Sequence, residues 1–353
     1  MSIAFLVGNG FDIRIGLKTR YKDIEKEYIE KNKDNENEDI KFFINSLTEN
    51  KEYWSDFEIG LGKYTGNFDK NEQKRFLSIY GNFLNFMADY LEAEEGKIHT
   101  ENCETEIQDL FKESIEGFCK ELPLKNRENI QSILNGYGSS LEYKFISFNY
   151  THTLDRCIEL TTNKYSEFGS HIFHGTTYKH RVSKEIAHVH GELPETFIVG
   201  VDNTAQLLNE EWKKDNRFCT EIIKPKINDR IAFNNDINAQ SIINNSLIFC
   251  IFGMSIGDTD KTWWKLLGRR LLEEPNARLI IYANSHARTK RVIIQDRIDI
   301  ENEKKDLFMT QAEIPENDRA IVENKIFVIL DSKIFDINLV ELSKQKKSAV
   351  TVY

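Results

Sequence analysis

The sequence predicts an α/β fold: a doubly wound, mostly parallel sheet with a helical insertion. Short β-branched or aromatic runs alternate with helical patterns, which is typical of parallel strands joined by helices. Most of these runs end in Gly, Asn, Asp or His, and an open α/β sheet binds its ligand at such strand ends. Residues 40–140 instead repeat apolar residues every three or four positions, which indicates helices.

The first strand is predicted at 3–7, because the unbroken apolar run IAFLV is typical of a strand covered on both faces. A helix at 19–31 and a polar loop at 32–39 follow. Residues 32–140 form the predicted insertion, and 1–31 together with 141–353 form the sheet domain. Further strands are predicted at 143–150, 185–191, 196–202, 246–253, 277–284 and 325–330. Helices are predicted at 204–224, 259–274 and 286–305.

Composition excludes several classes of protein. The 353 residues carry a formal net charge of −10, which argues against nucleic acid as a partner because such proteins present a basic face. The five cysteines form no C-x-x-C pair, so neither a zinc site built from cysteines nor a disulfide framework is expected. The N-terminus does not resemble a signal peptide, and no run approaches the roughly 18 apolar residues of a membrane span. We therefore expect a cytoplasmic protein that makes no membrane contact.

The first strand ends in a glycine turn, Gly8-Asn9-Gly10, followed by Asp12. Glycine lets backbone N–H groups approach an anion closely, and the next helix adds the positive end of its dipole. The third glycine of a dinucleotide fingerprint is absent, with Ile13 in its place. A phosphate-binding turn and a plain tight turn both remain open.

Two later strands end in residues suited to chemistry. Asn149 follows FISF, and its amide can cap a helix or hold a ribose hydroxyl or a water molecule. His190 precedes Gly191 at another strand end, where an imidazole is a natural general base. His188 lies two residues earlier, on the same face of the predicted strand. The pair suggests metal ligands, but the sequence shows no clear third ligand.

The stretch IFGMSIGDTD, at 251–260, resembles a second nucleotide-contacting turn. Its candidate residues are Gly253, Ser255 and Asp260, while Asp258 or Thr259 could instead cap the next helix. Asn284 ends the following strand and offers an amide for a ribose hydroxyl. In the insertion, Trp54, Phe57 and Leu61 form a helical stripe typical of a core, with Glu58 beside it as a candidate cleft residue.

Together these segments resemble the AbiH family of bacterial abortive-infection proteins, which is related to the sirtuin-like NAD-binding fold. The matching segments are LVGNGFDIRIGLKTRY, WSDFE, FISFNYTHTLD, HVHGEL, IVGVDN and IFGMSIGDTDKTWW. The resemblance implies a sirtuin-like Rossmann domain and a role in anti-phage defence. A lethal effector must also be restrained before infection, and oligomerisation or closure of the insertion could do that. A phage trigger or a companion defence protein remains open.

The resemblance assigns roles to individual residues. Gly8, Gly10 and Asp12 match the turn that faces the pyrophosphate in sirtuin-like domains. Asn149 resembles their catalytic asparagine and His190 their catalytic histidine. The remaining matches are the nucleotide-binding turn at Gly253 and Ser255 and the ribose contact at Asn284. The chain lacks the cysteines of the sirtuin zinc module, which disfavours deacylation, and Thr151 stands where sirtuins place an acid.

The leading hypothesis is therefore hydrolysis of the nicotinamide–ribose bond of NAD, with Asn149 and His190 as catalytic residues. A second hypothesis is a module that binds NAD or ADP-ribose without turnover. A third is a nuclease in which carboxylates at strand ends bind two magnesium ions. The carboxylates considered for that nuclease are Asp12, Glu58, Asp202, Asp258 and Asp260.

Overall fold

The computed structural model describes residues 1–49, 51, 54, 56–194, 196–231, 235–285 and 294–350. Its strands are β1 (Ser2–Val7), β2 (Glu142–Ser147), β3 (Ser170–Phe173), β4 (Thr176–Lys179), β5 (Arg181–His188), β6 (Ser246–Phe252), β7 (Arg278–Ala283) and β8 (Ile326–Leu330). The helices before β2 are α1 (Gly10–Arg14), α2 (Tyr21–Lys31), α3 (Glu38–Glu49), α4 (Phe57–Tyr64), α5 (Gln73–Glu95), α6 (Glu104–Glu116) and α7 (Leu124–Leu134). The later helices are α8 (Thr153–Lys164), α9 (Asn216–Ile222), α10 (Lys224–Ile231), α11 (Asn235–Asn245), α12 (Lys261–Glu273), α13 (Ile294–Gln311), α14 (Arg319–Glu323) and α15 (Leu339–Val350).

Within the described residues, six parallel strands form the central sheet in the order β5-β2-β1-β6-β7-β8. The strands β2 and β5 lie on one side of β1. The later strands β6, β7 and β8 lie on its other side. The order therefore reverses between β1 and β6, and such a switch point opens a crevice at the carboxyl ends of the strands. The prediction of a mostly parallel α/β sheet flanked by helices is confirmed.

Every residue of β1 is buried, as its continuous apolar pattern predicts. Alternate side chains enter two cores because successive residues of a strand point to opposite faces. Phe5 packs in the core that includes residues of α6, α7 and α8. Leu6 packs in the core that includes residues of α11, α12 and α13. Both faces of the sheet are therefore covered.

A third core, the insertion core, lies mainly among helices of the predicted insertion. Aromatic residues of α3, α4 and α5 pack there with Tyr28 of α2, Trp212 and Phe218. The regular elements described within 32–140 are helices, although α6 and α7 contribute to a core of the sheet. The boundary between the two domains stays a prediction.

Three parts of the secondary structure differ from the sequence prediction. The segment 196–202 forms only an isolated bridge between Val201 and Ile223, because Val199 and Val201 pack into the insertion core instead of joining the sheet. The predicted helix at 204–224 is broken into two short 3₁₀ turns and α9. The hairpin of β3 and β4 was not predicted. A helix was also predicted at 286–305, and its first part, 286–293, lies outside the described residues.

None of the helices in the described part of the chain is long and apolar enough to cross a membrane.

Candidate functional site

A cavity of about 620 Å³ opens at the carboxyl ends of β1, β2, β6 and β7. This volume lies within the range of roughly 300–1,000 Å³ that small-molecule sites occupy. All of the predicted site residues line it: Gly8, Asn9, Gly10, Asp12, Asn149, His190, Gly253, Ser255, Asp260 and Asn284. The structure thus brings together residues that are widely separated in sequence.

The glycine turn after β1 packs directly against the turn after β6. The Gly8 amide donates to the Phe252 carbonyl at 2.9 Å, and the Gly10 amide donates to the Gly253 carbonyl at 2.8 Å. A Cβ on Gly10 would lie 2.4 Å from the Gly253 Cα, and Gly253 itself has φ of +70°. Glycine is therefore required by the contact between the turns. Both amides are already engaged, so neither is free to bind a phosphate.

Substituting Gly10 with alanine is expected to destabilise the protein by about 1–3 kcal/mol, since backbone atoms must move to admit the methyl group. Gly81 in α5 provides a matched control, because a Cβ there would meet no atom of the described residues within 4 Å. Gly81→Ala should stabilise the fold by about 0.5–1 kcal/mol. Urea unfolding of both variants measures the difference, and equal effects would contradict the requirement for glycine at position 10.

Asn9 holds the glycine turn in place through its side chain. Its amide donates to the Thr19 carbonyl at 2.8 Å, and the Thr19 hydroxyl donates back to Asn9 Oδ1. The Asn9 side chain therefore has a structural role, although the residue lines the cavity.

Asp12 and Asn149 lie together in the lining of the cavity, and both are at most 3% exposed. Asp12 Oδ2 accepts a hydrogen bond from the Thr151 hydroxyl at 2.8 Å. Among the described residues, Asp12 Oδ1 and both polar atoms of the Asn149 side chain make no hydrogen bond of ordinary geometry. The Asn149 amide therefore keeps a donor and an acceptor for a bound molecule.

Burial raises the pKa of Asp12 to about 7, while the Thr151 hydrogen bond and the nearby Asn149 amide oppose that rise. The folded protein therefore keeps a proton that the unfolded chain loses above its ordinary pKa of 3.8. The free energy of unfolding must therefore fall as pH rises from about 4 to about 7, and it should level off above about pH 7.

Asp12→Asn removes this titration and should flatten the corresponding loss of stability. The stability of the wild type relative to Asp12→Asn is expected to fall by about 2–3 kcal/mol between pH 5 and pH 8. Urea unfolding of both proteins at the two pH values gives this difference. The same difference at both pH values would show that Asp12 titrates normally.

His190 joins a buried network of charged groups at the wall of the cavity. Its Nε2 lies 2.9 Å from Asp260 Oδ1. Lys224 Nζ lies 3.3 Å from the same oxygen, 3.4 Å from His190 Nε2 and 2.8 Å from Glu58 Oε2. Glu58 and Lys224 are each 4% exposed, and His190 is 7% exposed. An Nε2–H group donating to Asp260 leaves Nδ1 as the basic nitrogen of the ring.

The network sets the charges of its members. Burial alone would raise the pKa of Asp260, but Lys224 and His190 hold it well below its ordinary value. Burial alone would lower the pKa of Lys224, but Asp260 and Glu58 hold it well above its ordinary value. Burial raises the pKa of Glu58 despite Lys224. Asp260 is therefore the anionic partner of His190, and Lys224 supplies the compensating positive charge.

Sequence reasoning missed Lys224 as a site residue. In the sequence, Lys224 is a single lysine between the apolar pair Ile222-Ile223 and a proline. This local pattern gives no indication of its distant partners Glu58 and Asp260. The structure brings Lys224 to them at the start of α10, while Glu58 lies in the first turn of α4.

The expectation that His188 and His190 share one strand face is wrong. The strand β5 ends at His188, so alternation does not extend to His190. His188 Nε2 contacts Asp155 Oδ1 at 2.9 Å, whereas His190 contacts Asp260. The two imidazoles therefore belong to separate clusters.

The carboxylates considered for a nuclease lie in different surroundings. Those of Asp202 and Asp258 are not part of the cavity lining, while those of Glu58 and Asp260 are paired with Lys224. This arrangement does not favour a site for two magnesium ions.

The turn after β6 meets the next helix at Asp260, which is the N-cap of α12. The side chains of Asp258 and Thr259 therefore do not cap this helix. Ser255, in the same turn, is exposed in the cavity lining and is open to a bound molecule.

A family model described as bacteriophage abortive infection AbiH matches residues 4–282. The match includes every predicted site residue except Asn284. No curated protein matches the chain.

Proposed function

The chain belongs to the AbiH family of bacteriophage abortive-infection proteins, and on this premise we propose that it acts in phage defence by hydrolysing NAD in the strand-end cavity. We also propose that the sheet domain is related to sirtuin-like NAD-binding domains. The observation that carries it is the convergence of Asn149 and His190 on one cavity, with Asp260 bound to the imidazole.

The reaction needs a water molecule, a proton acceptor and an oriented ribose. In the proposed mechanism, Asn149 holds the water or a ribose hydroxyl with its unused amide. Water attacks C1′ of the nicotinamide ribose, and the C1′–N bond breaks with its electron pair passing to neutral nicotinamide. The proton of the water passes to Nδ1 of His190, and Asp260 stabilises the resulting imidazolium. The products are nicotinamide, ADP-ribose and a proton.

The pyrophosphate of NAD needs positive groups, and the amides of Gly8 and Gly10 are engaged. Arg14 and Lys304 are the basic side chains among the described lining residues with access to the cavity. Arg14 Nη1 donates to the carbonyls of Ser332 and Ile334, which orients the guanidinium. We therefore propose that Arg14 and Lys304 bind the pyrophosphate, in place of the glycine turn.

Asn149→Ala is expected to slow NAD loss and nicotinamide release by at least about 100-fold, since positioning of the attacking group is lost. The assay uses the purified full chain and extracts of phage-infected cells, so that a trigger present only in infection is included. The exposed Asn276→Ala serves as a control and should match the wild type. Equal turnover in Asn149→Ala and wild type would overturn the role of Asn149. ADP-ribose binding without nicotinamide release in either preparation would favour a binding module.

A further inference from the structure

A second cluster of polar side chains lies beside the loop 149–152. His152 and Asp155 come from the start of α8, His188 ends β5, and Glu192 follows in the next turn. His188 Nε2 lies 2.9 Å from Asp155 Oδ1 and 3.7 Å from Glu192 Oε2. His152 Nε2 lies 3.3 Å from the same Glu192 oxygen. The cavity described above does not include Asp155, His188 or Glu192 in its lining.

These distances suit a single bound cation. The ligand atoms of Asp155, His188 and Glu192 all lie within 4.8 Å of one another. Donors bound to zinc at about 2.0–2.2 Å in a tetrahedron lie about 3.4 Å apart. The three donors therefore reach such a geometry with small side-chain movements.

Burial and accessibility also fit a bound ion. The His188 side chain is 4% exposed, while those of Asp155 and Glu192 are 33% and 43% exposed. One ligand is thus held rigidly and two are open to solvent, which provides a path of entry. Asp155 Oδ2 is a buried oxygen without a hydrogen-bond partner in the described part of the chain. It is available as an additional donor.

We propose that Asp155, His188 and Glu192 bind one divalent transition-metal ion such as zinc or manganese. Imidazole and carboxylate together form the nitrogen and oxygen donor set that these ions accept. No cysteine takes part in this site, which differs from a four-cysteine zinc module. The proposal is independent of NAD hydrolysis.

The proposed ion would hold the loop that carries Asn149. His152 joins the cluster, the neighbouring Thr151 hydroxyl donates to Asp12, and the Tyr150 carbonyl accepts from the Leu193 amide at 3.0 Å. An ion shared by Asp155, His188 and Glu192 would connect the segments that follow β2 and β5. Its role is to position the loop.

Affinity is expected to be modest. His188 Nδ1 has no hydrogen-bond partner among the residues described, and loss of such a support typically weakens metal binding by about 10–100-fold.

The test uses the full chain, stripped with chelator and then dialysed separately against zinc and manganese. Metal content per chain is measured by mass spectrometry, and thermal unfolding is followed with and without each ion. Wild type should bind one equivalent and unfold at a higher temperature with metal. His188→Gln and the half-exposed Glu192→Gln should each bind at least about 10-fold more weakly, because a ligand is removed.

His171→Gln provides the matched control, because His171 is also a buried histidine but contacts His180 and the Tyr137 carbonyl. It should retain the wild-type stoichiometry for both ions. Manganese binding distinguishes this site from adventitious binding of zinc to thiols. Absence of binding in wild type, or equal binding by wild type and both ligand variants, would overturn the proposal.

Discussion

Replacing Lys224 with methionine is expected to lower the free energy of unfolding by about 3–5 kcal/mol, because the substitution leaves buried carboxyl groups without their cation. Lys224 Nζ contacts Glu58 Oε2 at 2.8 Å and Asp260 Oδ1 at 3.3 Å. Methionine keeps most of the length of the side chain and removes the ammonium group, with its charge and its hydrogen bonds to Glu58 and Asp260. The expected loss therefore reports on electrostatics and not on packing.

Chemical denaturation measures this effect. Lys226→Met in the same helix is the control, since Lys226 donates an exposed hydrogen bond to Asn216, and it should change stability by less than about 0.5 kcal/mol. Combining Lys224→Met with Glu58→Gln should recover part of the loss, because one unpaired acid is removed as well. Equal stability of Lys224→Met and Lys226→Met would show that the network does not hold these charges.

His190→Asn is expected to reduce NAD hydrolysis by about 100- to 10,000-fold, the usual contribution of a general base. The substitution keeps a polar side chain of similar reach but removes the titratable ring. Because Asp260 orients the His190 imidazole and stabilises its positive charge, Asp260→Asn should also slow NAD hydrolysis.

His174→Asn is the control for this substitution. His174 is exposed in the turn between β3 and β4 with φ of +46°, a conformation that asparagine accepts readily. Nicotinamide release by His174→Asn should equal that of wild type. Unchanged release by His190→Asn, with folding verified by circular dichroism, would exclude His190 as the base.

Much of the site could be predicted because parallel strands end at one edge of a sheet. Asn149, His190, Gly253 and Asn284 follow different strands, so a parallel arrangement alone brings them near one another. The apolar pattern of β1 likewise defined a strand that is buried on both faces.

The rest depended on contacts that no local pattern contains. Lys224 belongs to the site because it forms ion pairs with Glu58 and Asp260, which come from other parts of the chain. The glycine turn resembled a phosphate loop because close packing of two turns and close approach of a ligand both require the same residue. The β-branched residues at 196–202 indicated a strand, but burial in the insertion core outweighed that preference.

Calorimetry with ADP-ribose tests most directly whether the cavity at the strand ends binds a nucleotide. Ser255→Trp places a large ring in the lining at an exposed position, and Ser166→Trp places one on a distant exposed surface. We predict binding at one site per chain for wild type and Ser166→Trp, and loss of that binding in Ser255→Trp. Absence of binding to wild type, or binding that Ser255→Trp leaves unchanged, would contradict the claim.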